Sequence, residues 1–128
     1  MSKVIEHFTH PGATGTPPLS PAVRTGDYVW VSGQVPFGAD GRVVGHEIAG
    51  QTEQVMANLK AALELAGCTL DDVCKTTVWL ADARDFAKFN AVYGSYFQNG
   101  FPARTTCESR LMANILVEIE AVAYKPQG

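Results

Sequence analysis

Residues 104–124 read Arg-Thr-Thr-Cys-Glu-Ser-Arg-Leu-Met-Ala-Asn-Ile-Leu-Val-Glu-Ile-Glu-Ala-Val-Ala-Tyr. Two strands are predicted here, from Arg104 to about Leu111 and from Leu116 to Tyr124. In the second, Val117, Ile119, Ala121 and Ala123 share one face, suited to packing under helices, because side chains alternate along a strand. The other face holds Leu116, Glu118, Glu120, Val122 and Tyr124. Two strands in succession end a chain whose earlier elements alternate strand and helix. Partial alternation favours an α+β sheet with both helices on one face over a doubly wound α/β fold.

Upstream, a helix is predicted over residues 83–97, with Asp82 as its cap and Asp85 complementing the positive end. Phe86, Phe89, Tyr93 and Phe97 form one stripe on it, and Gly100 and Pro102 end the segment. Residues 73–80, VCKTTVWL, are β-branched and read as a strand. Residues 48–66 place Val55, Met56, Leu59, Ala62, Leu63 and Ala66 on one helical face. Gly67 follows where a left-handed cap is wanted. Residues 28–36, YVWVSGQVP, are a strand stopped by Pro36, and Asp40-Gly41 predicts a turn into a short return strand through Val43 and Val44. PGATGTPPLSP at 11–21 reads as an irregular entry loop. The predicted order is β-β-α-β-α-β-β.

Two readings remain for the second sheet face, where Tyr28, Trp30, Ser32 and Gln34 stand beside the carboxylates of the last strand. It is a face covered by another copy in a homo-oligomer, or an ordinary solvated face with scattered aromatics.

The chain has 128 residues, 46% of them hydrophobic and 18% charged, which argues against disorder. Ten basic residues face thirteen acidic ones with no basic cluster, so nucleic acid is a poor partner. No apolar run approaches the ~20 residues of a membrane span, and the N-terminal stretch does not resemble a secretory signal. Three cysteines without a C-x-x-C pattern indicate reduced thiols in a cytoplasmic protein.

Of the candidate chemistries, a metal site is disfavoured because His7 and His10 point to opposite faces of an extended segment and His46 is alone. No serine has a nucleophile-elbow setting. Cys107 reads as a buried structural thiol rather than a nucleophile. Gly33, Gly38 and Gly41 lie in a hairpin, not at a strand-to-helix turn, which removes dinucleotide and phosphate-loop readings. Arg104, Thr106 and Glu108 share a strand face, and an antiparallel pairing of the last two strands would bring Glu118 near Arg104. An arginine fork suits a carboxylate, and a nearby glutamate suits a water. The same two residues also read as a structural ion pair.

Six segments in order resemble the RidA/YjgF family of reactive-intermediate (enamine/imine) deaminases. They are VWVSGQVPF at 29–37, Gln51-Thr52 to Lys60, AGCTLDDVCKTTVWLAD at 66–82, DFAKFNAVYGSYF at 85–97, FPARTTCES at 101–109 and VEIEAVAY at 117–124. The resemblance implies a chorismate-mutase-like single domain over residues 1–128 and a homotrimer with ligand clefts between subunits. It implies hydrolysis of 2-imino acids to 2-oxo acids and ammonia, without cofactor or metal. By position, Arg104 is expected to clamp the substrate carboxylate and Glu118 to hold the attacking water. Gly33 and Thr106 are expected to line the pocket, with Phe89 and Asn90 approaching it from a neighbouring subunit. Ala22 is read as standing where many members carry a loop tyrosine, which leaves room for a different small carboxylate. Two alternatives are kept: a non-catalytic trimeric sensor of 2-oxo acids, and the chaperone or ribonuclease roles sometimes attached to the family, of which RNA fits the acidic balance poorly.

Overall fold

A computed structural model describes residues 4–15 and 17–127. Strands β1 (Glu6–Phe8), β2 (Ala22–Thr25), β3 (Tyr28–Gln34), β4 (Val73–Leu80), β5 (Ala103–Glu108) and β6 (Val117–Tyr124) accompany helices α1 (Ile48–Leu65) and α2 (Phe86–Gly94). The strands form one sheet in the order β1-β2-β3-β6-β4-β5. All neighbours are antiparallel except β4 and β5.

The parity expected of the last strand holds. Val117, Ile119 and Ala123 are fully buried and Ala121 nearly so, packed with Val55, Met56, Leu59 and Leu63 of α1. Phe89 and Tyr93 of α2 join the same core. The helix predicted over 83–97 is shorter: Asp82 caps a single 3₁₀ turn at Ala83–Asp85, accepting from the Arg84 backbone N–H at 2.9 Å, and α2 begins only at Phe86. The Arg84 side chain holds the Asp82 carboxyl well down, at about 2. Gly67 has φ of 75°, the left-handed value its capping position requires.

Three expectations need correction. The last two strands are not a hairpin: β5 pairs only with β4, and β6 lies on the other side of β4. The cause is α2, which carries the chain back over the sheet so that β5 returns parallel to β4, as a βαβ crossover must. The return strand at Val43 reduces to a single bridge, Phe37 to Val43. Two strands precede the first predicted one. The clearest missed signal is Gly26-Asp27, where Gly26 at φ of 60° turns β2 into β3.

Candidate active site

Arg104 is set by its strand register. It lies opposite Thr76, a fully buried residue of β4 whose Oγ1 is 2.7 Å from the Tyr93 hydroxyl. That contact fixes the Tyr93 ring under the Arg104 guanidinium. Arg104 Cζ stands 5.0 Å from the Tyr93 ring centre and 5.5 Å from those of Phe86 and Phe89. Each such cation–π contact contributes roughly 0.5–1 kcal/mol, more where water is excluded. Burial pushes the Tyr93 phenol up, against opposing effects of the Thr76 hydrogen bond and the Arg104 charge, so the platform stays neutral at ordinary pH.

None of the ion pairs or side-chain hydrogen bonds among the described residues involves Arg104. The expectation of a possible Arg104–Glu118 pair within one chain therefore fails. Beside the guanidinium is a cleft of about 260 Å³, lined by Asn90, Tyr93, Gly94, Phe101, Pro102 and Arg104. The Asn90 Oδ1 is buried without a partner. The stripe of aromatics on α2 was legible in the sequence, but its use as a guanidinium platform was not. Nor was the contribution of Phe101.

Glu118 lies elsewhere. Its neighbours Val117 and Ile119 point under the helices, so its side chain is on the open face. The sheet register slips between Val31 and Gln34 opposite β6, and there the Glu118 carboxylate covers Gly33. A Cβ at Gly33 would meet Glu118 Oε2 in a clash and Cδ at 3.0 Å. Glycine is needed here for close approach. Burial, and secondarily the nearby Glu120 charge, push the Glu118 carboxyl up from its ordinary value of 4.5. Gly33→Ala is expected to displace this carboxylate and slow any reaction it serves by roughly 10- to 100-fold. The fold should survive, because the far end of the glutamate side chain can move; thermal unfolding beside kinetics checks both halves.

The candidate residues thus form two groups. Arg104 pairs with Thr76, whereas Glu118 pairs with Trp79 on the same strand. The two are roughly 10 Å apart along the strands and roughly 10 Å across them, and they face opposite sides of the sheet. Gly33 goes with Glu118. Thr106 shares Arg104's face, opposite Val78. Phe89 and Asn90 do not come from a neighbour to meet Arg104, since both lie beside it in the same chain. Phe89 is also fully buried, so it backs the guanidinium rather than lining the cleft.

Two further expectations are corrected. Cys107 is exposed on β5, not buried. Ala22 is fully buried on the helix side of β2, so no side chain at 22 reaches the open face. In the entry loop Pro18, Leu19 and Ser20 do, and with Trp30, Ser32 and Glu120 they border a cleft of about 670 Å³.

The chain is an α+β domain with an arginine on its edge strand that has no partner among the described residues and a half-buried glutamate on its open face. Residues 11–125 match the family model described as Endoribonuclease L-PSP, and the chain belongs to that family, which is the RidA/YjgF family. A RutC family protein of Pyrococcus horikoshii, PH0854, is 46% identical over 127 residues, covering 98% of this chain and 99% of its own. The protein of Escherichia coli K12 named 2-iminobutanoate/2-iminopropanoate deaminase is 38% identical over 129 residues, covering 98% and 99%. The crystal structure of the E. coli YjgF gene product superposes with a TM-score of 0.84 at 36% identity, covering 93% of this chain and 98% of that one.

Proposed function

We propose that the protein hydrolyses 2-imino acids, formed from enamines, to 2-oxo acids and ammonia. The observation that carries this reading is the Arg104 guanidinium, held on three aromatic rings beside a cleft, with no carboxylate among the described residues to neutralise it. The names of relatives at 38% identity support the substrate class.

In this reading the guanidinium takes the substrate carboxylate through two parallel hydrogen bonds. The imine carbon is already electrophilic, so positioning and modest proton transfer suffice. Glu118 accepts a proton from water as the oxygen bonds to the imine carbon. It returns that proton to nitrogen to give a carbinolamine; the same carboxylate then passes the hydroxyl proton to nitrogen as the C–N bond breaks, and ammonia leaves a 2-oxo acid. A carboxyl raised by burial returns the proton more readily than an ordinary one.

One chain holds Arg104 and Glu118 on opposite faces, so the reading requires Arg104 of one copy to meet Glu118 and Gly33 of the partner subunit. A homotrimer with clefts between copies meets that requirement. The unpaired outer edge of β5 and the half-exposed Tyr28, Trp30 and Tyr124 of the open face favour such a contact. The whole span 1–128 acts as one domain, in the cytoplasm, with its three cysteines free. No helix among the described residues is long and apolar enough to cross a membrane.

Because Arg104 alone suffices to bind an anion, a non-catalytic sensor of 2-oxo acids is the second reading. One assay separates the two. Imino acids are generated in situ with an amino-acid oxidase, and ammonia release is followed with and without the protein. Acceleration by substoichiometric protein is expected. Saturable 2-oxo acid binding without acceleration would leave the sensor, and a monomer in sedimentation would remove the shared cleft.

A further inference from the structure

Resting on the reading of Arg104 as a carboxylate clamp, we infer that its cleft selects 2-imino and 2-oxo acids with a large apolar, preferably aromatic, side chain, and that Phe101 is the selecting residue. Four rings run in a ladder from the core to this cleft. Phe89 to Tyr93 is 5.3 Å between ring centres, Tyr93 to Phe97 is 4.9 Å and Phe97 to Phe101 is 6.4 Å. The first three are buried, whereas Phe101 is 71% exposed. A lone exposed phenylalanine needs no explanation. This one is the open end of a packed stack, and it lines the same cleft as an unpaired guanidinium.

The rest of the wall agrees. Beyond Arg104 the part of the wall that this chain supplies contains no charged group, only Asn90, Tyr93, Gly94 and Pro102 beside Phe101. Gly94 leaves open the space where a Cβ would touch the Phe101 ring at 3.8 Å. At about 260 Å³ the cleft is near the lower end of sites for small organic ligands. A one- or two-carbon side chain anchored at Arg104 would leave most of it to water. An apolar ring there gains burial and an offset contact with Phe101.

The test uses 2-oxo acids as stable stand-ins for the imino acids. Binding of pyruvate and of phenylpyruvate is measured by calorimetry on the intact protein and on Phe101→Ala and Phe101→Leu, with sedimentation of each. The wild type is expected to prefer phenylpyruvate by about tenfold. Phe101→Ala should erase that preference, the loss falling mainly on phenylpyruvate, and Phe101→Leu should restore part of it. Pyruvate bound by the wild type as tightly as phenylpyruvate would overturn the inference while leaving the clamp standing. Parallel loss of both ligands in Phe101→Ala, together with altered sedimentation, would also overturn it by assigning Phe101 to assembly. A wild type that binds neither acid would overturn the clamp and the inference together.

Discussion

Arg104→Ala is expected to lower kcat/KM for imino acids by about 10²–10³-fold and to weaken 2-oxo acid binding by a similar factor. Truncating one partner of a hydrogen-bonded charge pair costs about 2–5 kcal/mol, roughly 30- to 5,000-fold, which brackets that range. Arg104→Lys keeps the charge but not the fork, so it should fall between. The fold should tolerate both changes. The three ring contacts contribute roughly 0.5–1 kcal/mol each, and no ion pair among the described residues is broken. Unfolding curves measured beside the kinetics check this. Activity within about threefold of wild type in the alanine variant would end the clamp assignment.

Glu118→Gln is expected to slow hydrolysis by about 10²–10⁴-fold, the usual range for a positioned acid–base group. Its Kd for 2-oxo acids should stay within about twofold. The wild-type rate should rise with pH as Glu118 loses its proton, along a limb lying above the ordinary carboxyl value of 4.5 because burial, and then Glu120, raise it. The glutamine variant should lose that limb. Stability has the opposite sign. The folded state holds this proton more tightly than the unfolded chain, so Glu118's contribution is fully present below the unfolded pKa and is lost as pH rises through the folded one. Above that window Glu118→Gln should be more stable relative to wild type than it is in acid. Equal loss of binding and rate would instead mark Glu118 as structural.

The core was legible because it rests on local periodicity. Val117, Ile119, Ala121 and Ala123 alternate, and Val55, Met56, Leu59 and Leu63 recur at helical spacing. Both patterns reported which face would be buried before any partner was known, since a helix or a sheet must hide its apolar side. β1 and β2 were missed because three- and four-residue strands carry little pattern. The Cys107 expectation failed because a cysteine's burial depends on which strand is at the sheet edge, and β5 is an edge. Ala22 failed for a related reason. It opens β2 with its side chain in the core, and the residues that border the open face lie two to four positions earlier, in a loop with no alternation to read.

The sequence alone determined the α+β class, the two helices, the central strands and the two residue types that carry the proposed chemistry. These follow from composition, from spacing along the chain and from the family resemblance. Strand order was decided only in three dimensions. The α2 crossover placed β4 between β5 and β6, which separated what the chain order had suggested was a pair, and the register, Arg104 beside Thr76 and Glu118 beside Trp79, set the two on opposite sides of the sheet. Pairing is a long-range choice made by packing α2 over the sheet, and neither terminal strand encodes it locally.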